Sequence, residues 1–260
     1  MPTGVVNVCV ANVYEADTYK SQTVTQAILG ERLNILDSGE RFSLVELPDA
    51  YTGWISNFQF VTGNGTQTGR VIKVREHWTR IFQEPHIDSL PVRDAVIGTR
   101  LYMTGEAGEW LRVGLPDGTP GWIRKSATGE FPERNREGIL KLAREFLGYP
   151  YLWGGRSPKG FDCSGLTQTV LGLLGISLPR DSWMQQNAGK PVDVAPEDTL
   201  PGDLYFFSEK GDRITHVGIA AGRGRILHAR GYVRINSLID GDQDYSGELR
   251  STLVDVRSFF

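Results

Sequence analysis

The first half of this 260-residue sequence repeats itself at a constant offset of 68 positions. LGERLNILDSG and LPDAYTGWIS recur as IGTRLYMTGEAG and LPDGTPGWIR. The shared positions are Gly30 and Gly98, Leu33 and Leu101, Pro48 and Pro116, and Trp54 and Trp122. Identity at fixed spacing in residues that set turns and cores predicts two copies of one supersecondary unit, each of about 60 residues.

Within each copy, short β-branched and aromatic runs alternate with turn residues. The runs are VVNVCV, RLNIL, RFSLVEL and GWIS in the first copy, and RLYMT, EWLRVGL and GWIR in the second. This pattern predicts a small antiparallel barrel. Both copies resemble bacterial SH3-like domains, in which a Gly-Trp-hydrophobic strand near the end is typical. We place the first at 1–62 and the second at 70–129, with residues 63–69 as a linker without an apolar anchor.

After Gly129 the pattern of the sequence changes. Apolar residues at helical spacing predict a helix over 136–147, which Gly148 and Pro150 end, and a second helix over 163–174. Strand-like runs follow at 203–207, 216–221 and 225–230. Helices followed by an antiparallel sheet predict an α+β domain over 130–260.

Composition limits the partners of the chain. A net charge of -3 leaves no excess of basic residues for nucleic acid or an anionic membrane surface. Only two cysteines occur, Cys9 and Cys163, so we expect thiols rather than a disulfide framework. The N-terminus lacks a basic region and a long apolar run, which predicts a cytoplasmic protein, or an exported one if a signal peptide has been removed. We expect a monomer.

Three residues of the C-terminal part have the types that nucleophilic catalysis requires. Cys163 directly precedes a predicted helix, whose N-terminus favours a thiolate and offers backbone N–H groups to an oxyanion. His216 and His228 lie twelve positions apart on strand-like runs, which suits neighbouring antiparallel strands with both side chains on one face. One imidazole then accepts the thiol proton and the other orients it. Each residue alone has a structural alternative: a buried apolar thiol, or a histidine that only packs.

The combination occurs in a wider pattern. FLGYPYLWGG, GFDCSGL, LPRDS, LPGDL, and THVGIA followed by ILHA resemble, in order, the NlpC-type family of bacterial cell-wall cysteine peptidases. The resemblance implies a reduced papain-like α+β catalytic domain behind the two all-β SH3-like barrels. It implies Cys163 as nucleophile, His216 as base and His228 as the residue that orients the base. Tyr151 is implied to complete the oxyanion site with the Cys163 N–H; its alternative is a core aromatic.

Paired SH3-like domains ahead of this domain are similar to the γ-D-glutamyl-L-diamino acid endopeptidases that recycle cell-wall peptides. That similarity implies an N-terminal barrel that restricts the enzyme to peptides with a free N-terminal L-alanine. Glu15, Tyr51 and Asp162 match the amine-binding set, and Ser164 and Ser182 match serines of the substrate cleft. The second copy of the repeat has Thr119 in place of Tyr51. Glu15 and Tyr51 are alternatively surface residues, and both serines are alternatively helix caps.

We therefore expect cleavage of the bond between D-glutamate and the diamino acid in murein peptides. No metal or other cofactor is expected, because the cysteine and two histidines lack zinc-site spacing. One alternative is an exported, wall-lytic endopeptidase acting on intact peptidoglycan. Another is a non-enzymatic peptide-binding module, which the presence of Cys163, His216 and His228 disfavours.

Overall fold

A computed structural model describes residues 1–65, 69–209, 211 and 213–260. Its contacts divide the chain into two compact units, Met1–Phe131 and Pro132–Phe260. The linker predicted at 63–69 falls partly on residues 66–68, which lie outside the described residues. Among the described residues, none of the helices has the length and apolar character that crossing a membrane requires.

The first unit is built from β-strands in two antiparallel sheets. The first sheet contains β1 (Thr3–Val6), β2 (Val10–Tyr14), β3 (Thr23–Ile28), β4 (Arg32–Ser38), β5 (Phe42–Glu46), β6 (Thr52–Ser56) and β7 (Phe60–Thr62). The second contains β8 (Arg70–Lys73), β9 (Trp78–Phe82), β10 (Pro91–Val96), β11 (Arg100–Ala107), β12 (Trp110–Gly114) and β13 (Pro120–Arg124), followed by a 3₁₀ turn at Lys125–Ala127.

The two sheets share one strand order. The first runs β3-β2-β6-β5-β4-β1-β7 and the second β10-β9-β13-β12-β11-β8, so each of the first six strands has its counterpart at the same place. The sequence repeat therefore reflects a repeat of topology. Each sheet encloses its own apolar core, and Leu29 of the first copy packs into the core of the second.

A charged cluster also joins the two copies. Arg93 donates to the Asp117 carboxylate at 2.6 Å and to the Asn7 carbonyl at 2.9 Å, while the Asn7 amide donates to Asp117 at 3.0 Å. Burial raises the pKa of Asp117, but hydrogen bonds from Asn7 and Thr119 and the charge of Arg93 lower it below its ordinary value overall. Asp117 therefore stays ionised within this cluster.

The second unit contains four helices and a six-stranded sheet. Its elements are α1 (Arg136–Arg144), β14 (Arg156–Ser157), β15 (Gly160–Phe161), α2 (Cys163–Leu173), α3 (Ser182–Ala188), β16 (Lys190–Pro191), a 3₁₀ turn at Pro196–Asp198, β17 (Leu204–Phe207), β18 (His216–Gly222), β19 (Arg225–Arg230), β20 (Tyr232–Ser237), α4 (Gly247–Thr252) and β21 (Leu253–Ser258). The sheet order is β16-β21-β17-β18-β19-β20, and every pairing is antiparallel. Helix α2 packs against β18 and β19.

Several boundaries differ from those predicted by sequence. Helix α1 ends at Arg144 rather than Leu147, because the chain turns there and Gly148 adopts a φ of 85°. The VVNVCV run is split, with a bend at Val8 and Cys9 between β1 and β2. Strands β3, β7, β8, β9 and β10 were not predicted; β7 and β8 contain only three and four residues, too few for a clear pattern.

The loops that precede β6 and β13 share the same hydrogen bonds and backbone conformation. Leu47 N–H donates to the Tyr51 carbonyl at 2.8 Å, and Leu115 N–H donates to that of Thr119 at 2.9 Å. In both turns an aspartate accepts a hydrogen bond from the N–H two residues on. The residue between them has positive φ: Ala50 at 64° and Gly118 at 85°. Alanine is strained in this region, where glycine is not.

Replacing this strained alanine should stabilise the first unit. We expect Ala50→Gly to raise the free energy of unfolding by roughly 0.5–1 kcal/mol, because relief of left-handed strain exceeds the added entropy of the unfolded chain. The matched control Gly118→Ala should lower it by a similar amount. Urea denaturation of the full chain measures both, and stabilisation by Gly118→Ala would contradict the argument.

Candidate active site

The site is organised by the start of α2. Asp162 is the N-cap of this helix, and its Oδ1 accepts a hydrogen bond from Gly165 N–H at 2.7 Å. Its Oδ2 accepts one from Gly154 N–H at 2.9 Å. A Cβ at position 165 would lie 2.0 Å from the Gly155 carbonyl oxygen, so only glycine permits this approach. Cys163 is thereby fixed as the first residue of the helix.

A buried arginine completes this arrangement. Arg180 is 2% exposed and donates to both Asp162 oxygens, at 3.1 Å from Nη1 and 2.5 Å from Nη2. Its Nη1 also donates to Ser164 Oγ at 2.8 Å. Asp162 is the charged side chain that compensates the guanidinium at this depth, because two charges buried together must be paired and hydrogen-bonded.

The Cys163 sulfur faces the first residues of β18. The pKa of the Cys163 thiol is raised to about 12: burial raises it most and the Asp162 carboxylate also raises it, while the N–H groups of Val217 and Ser164 and the charge of Arg180 lower it. The N–H of Val217 thus points at the sulfur, and Val217 directly follows His216 in the chain. Cys163 is therefore a neutral thiol near pH 7, and it needs a base if it is to act as a nucleophile.

Two histidines from adjacent strands form the next part of the site. The distance from His216 Nε2 to His228 Nδ1 is 2.8 Å, and the rings meet edge to face. Burial lowers the pKa of His216 well below 6.5, and electrostatic interaction with His228 and Arg230 lowers it too. The pKa of His228 is lowered to about 4, mainly by burial and also by the charges of Arg234 and Arg230, although its hydrogen bond to the Asn236 side chain opposes this. Both imidazoles are neutral near pH 7, so one can accept a proton.

Tyr151 lies close enough to Cys163 to respond to its charge. The pKa of Tyr151 is raised to about 12, mainly by burial and also by electrostatic interaction with Cys163 and Asp162, while Arg180 lowers it. The backbone of Tyr151 is held by its N–H, which donates to the Gly231 carbonyl at 2.9 Å. A phenol that remains protonated is a hydrogen-bond donor, as an oxyanion site requires.

The predicted binding residues have different surroundings. Ser164 is buried and bonded to Arg180, and Ser182 is the first residue of α3. In the first unit, Glu15 is exposed just after β2 and Tyr51 is half-buried just before β6. Because β2 and β6 are antiparallel neighbours, these two residues share one end of the sheet. Their predicted roles in substrate binding, like those of Asp162, Ser164 and Ser182, stay predictions.

Sequence reasoning missed two residues of this site. Arg180 lies inside the LPRDS motif, but nothing in its type indicates that it is buried. Asn236 lies two residues after Arg234 on β20, and its Oδ1 is 3.0 Å from His228 Nε2. Alternate polar residues in YVRINS were the available signal, because they place two polar side chains on one face of the strand. Among the described residues, His, Cys, Asp and Glu form no group of three suited to a metal ion.

Comparison with known proteins agrees with this geometry. The NlpC/P60 family matches residues 148–246, which contain Cys163, both histidines and Asn236. The second unit therefore contains an NlpC/P60 domain. A second match, to the bacterial dipeptidyl-peptidase Sh3 domain, covers residues 13–59 of the first sheet. With this NlpC/P60 domain, the chain is a cysteine peptidase.

Relatives of the NlpC/P60 chain extend across both units. It is 29% identical to a γ-D-glutamyl-L-lysine dipeptidyl-peptidase of Bacillus cereus over 82% of this chain and 68% of the relative. It is 28% identical to dipeptidyl-peptidase 6 of Lysinibacillus sphaericus over 96% of this chain and 97% of the relative. A crystal structure of an NlpC/P60 family protein from Bacillus cereus superimposes with a TM-score of 0.84, at 24% identity and 99% coverage of both chains. The last likeness shows a shared fold.

The buried ion pair yields a stability prediction. Arg180→Met leaves the Asp162 carboxylate buried without its charge partner, and we expect a loss of about 3–5 kcal/mol in the free energy of unfolding. Adding Asp162→Asn should recover part of this loss. The control Arg230→Met removes an ion pair with Glu248 on the surface and should have far less effect. Urea denaturation at neutral pH distinguishes these outcomes, and an equal effect of both arginine variants would contradict the prediction.

The neutral histidines yield a prediction on pH. The unfolded chain protonates His228 near pH 6.5 but the folded one only near 4, so this contribution to stability is full above pH 6.5 and is lost as pH falls toward 4. We expect His228 alone to account for about 3 kcal/mol of that loss. Unfolding free energies between about pH 7 and pH 4 should therefore fall less steeply in His228→Gln.

Proposed function

We propose that this NlpC/P60 peptidase is a γ-D-glutamyl-L-diamino acid endopeptidase that acts on murein peptides beginning with L-Ala-γ-D-Glu. The observation that carries the proposal is the likeness to the γ-D-glutamyl-L-lysine dipeptidyl-peptidase of Bacillus cereus, which covers 82% of this chain and so includes both units. In this proposal the two sheets of the first unit are SH3-like barrels, the second acting as a structural support. The second unit is a papain-like catalytic domain.

In the first chemical step, Cys163 Sγ attacks the γ-carbonyl carbon of D-glutamate. His216 accepts the thiol proton as the C–S bond forms, because a neutral thiol needs a base and His216 is a neutral imidazole. His228 accepts a hydrogen bond from His216 and keeps its ring oriented. His216 then gives the proton to the leaving amine of the diamino acid, which leaves a γ-glutamyl thioester on Cys163.

The oxyanion of this step is stabilised by two donors. The N–H of Cys163 belongs to the first turn of α2, where backbone N–H groups have no carbonyl partner within the helix. The Tyr151 phenol stays protonated and lies near Cys163. Donors held in place before the reaction stabilise developing negative charge without reorganisation. Water activated by His216 then hydrolyses the thioester, releasing L-Ala-D-Glu and restoring the thiol.

Recognition of the free L-alanine amine is assigned to Glu15, Tyr51 and Asp162. Arg180 already compensates the charge of Asp162, so Asp162 contributes a hydrogen-bond acceptor rather than net negative charge. Glu15 supplies the charge that an ammonium group leaving water requires. Ser164 and Ser182 would contact the peptide in the cleft, Ser164 while its Oγ stays bonded to Arg180.

The proposed setting is peptide recycling in the cytoplasm by a monomer, with no nucleic-acid or membrane partner. A free N-terminal L-alanine exists only after the peptide has been released from the glycan, so an amine-gated enzyme acts after wall turnover. The diamino acid is meso-diaminopimelate or lysine. Cleavage frees the amino group through which it was bonded to D-glutamate.

Mass spectrometry of two substrates tests the proposal. L-Ala-γ-D-Glu-meso-diaminopimelate should yield free diaminopimelate, and the N-acetylated peptide should react more slowly by a factor on the order of 100 or more. Cys163→Ser should lose turnover by a factor on the order of a thousand or more, whereas Cys9→Ala, the matched control in the first unit, should keep it. Equal cleavage of both peptides would contradict the proposed recognition of the free amine and favour action on intact peptidoglycan.

A further inference from the structure

The hydrogen-bonded chain of the site extends one residue beyond the two histidines. Asn236 lies on β20, two positions from Arg234, which pairs with His228 across β19 and β20. Side chains two positions apart on a strand share a face, so Asn236 reaches His228 diagonally. Its Oδ1 is 3.0 Å from His228 Nε2. His228 itself is completely buried.

The orientation of the Asn236 amide is fixed by the backbone. Its Nδ2 donates to the Asp244 carbonyl at 3.0 Å, and the same carbonyl accepts from Ser237 N–H at 2.8 Å. A flipped amide would place its oxygen against that carbonyl oxygen, where no hydrogen bond can form. The amide oxygen therefore faces His228.

This orientation determines where the imidazole protons are. An amide oxygen only accepts, so the proton of neutral His228 must be on Nε2, which leaves Nδ1 as an acceptor. His228 Nδ1 then receives a hydrogen bond from His216 Nε2, at 2.8 Å. The proton of neutral His216 is consequently on Nε2, and its Nδ1 is the basic nitrogen.

We propose that Asn236 is a positioning residue, which acts through His228 to hold His216 in the tautomer whose Nδ1 is unprotonated and available to the Cys163 thiol. Without the amide oxygen, His228 is free to carry its proton on Nδ1. That proton would face His216 Nε2 and require it to accept, moving the His216 proton to Nδ1. The base would then present an N–H to the thiol. This inference rests on the proposed roles of Cys163 and His216.

The first arm of the test reads the tautomers without any substrate. The chain has four histidines, so isotope-labelled ring nitrogens can be assigned by NMR with His77→Gln and His86→Gln. In the wild type, His216 and His228 should both carry their proton on Nε2. In Asn236→Leu, the His228 proton should move at least partly to Nδ1. A wild-type His228 protonated on Nδ1, or an unchanged tautomer in Asn236→Leu, would overturn the proposal whatever the substrate proves to be.

The second arm measures peptide cleavage near pH 8, where the isosteric Asn236→Asp keeps the acceptor opposite a neutral His228. Asn236→Leu should lower kcat by a factor on the order of ten to a hundred with little change in KM, as for other hydrogen-bond partners of functional histidines. Asn236→Asp should retain clearly more of kcat than Asn236→Leu, because it keeps the acceptor of His228 although its second oxygen loses the hydrogen bond to the Asp244 carbonyl.

The matched control for this arm is Ser237→Ala. Ser237 is the next residue of β20, and its Oγ donates to Asp242 at 2.6 Å, in the same loop as Asp244. This variant perturbs the loop without removing the acceptor of His228, so kcat should stay near the wild-type value. An equal loss in Ser237→Ala and Asn236→Leu would reduce Asn236 to a loop-stabilising residue and refute the proposal. Absence of cleavage by the wild type with the expected tautomers would instead refute the proposed substrate.

Discussion

The Asp162 carboxylate is the interaction on which the rest of the site depends. It caps α2, binds the loop at Gly154 and neutralises Arg180, so three separate segments meet at one side chain. Cys163, the proposed nucleophile, is the next residue in the chain. Its position is therefore set by a buried charge pair, which has a large desolvation penalty and demands good geometry. This arrangement gives the N-terminus of the helix a single conformation, in which Cys163 faces β18.

Burial has opposite effects on the two kinds of titrating group around Cys163. It raises the pKa of the thiol and of the Tyr151 phenol, and lowers those of His216 and His228, so every one of them is held in its neutral form. Neutral groups joined by hydrogen bonds can be packed without unpaired charge. Asp162 and Arg180, whose charges both act on the pKa of the thiol, compensate each other.

Much of this organisation is readable in the sequence, and the unreadable part has physical reasons. The repeat predicted two copies of one unit, because glycine, proline and tryptophan recur at turns and cores, and the two sheets do share one strand order. The helix starting at Cys163 and the strands bearing both histidines were predicted within a residue or two, because their apolar spacing is regular. Arg180 and Asn236 were not predicted, because their roles depend on contacts with Asp162 and His228 that exist only in the folded chain. Residue type alone does not show that Arg180 is buried, because its burial depends on the ion pair with Asp162 that the fold creates.

The contact between the Cys163 sulfur and the Val217 N–H has a further consequence. Alternate residues of a strand point to opposite faces, so sliding β18 by a single residue would turn His216 away and bring an aliphatic side chain to the sulfur. In a sheet misfolded by such a shift, the apolar side chains of β18 would no longer face the core, and the Cys163 thiol would have no histidine beside it. The fraction of molecules that react with an active-site-directed thiol reagent would therefore measure the fraction in which β18 has its native register. The reactivity of this enzyme thus reports how accurately its own sheet assembles.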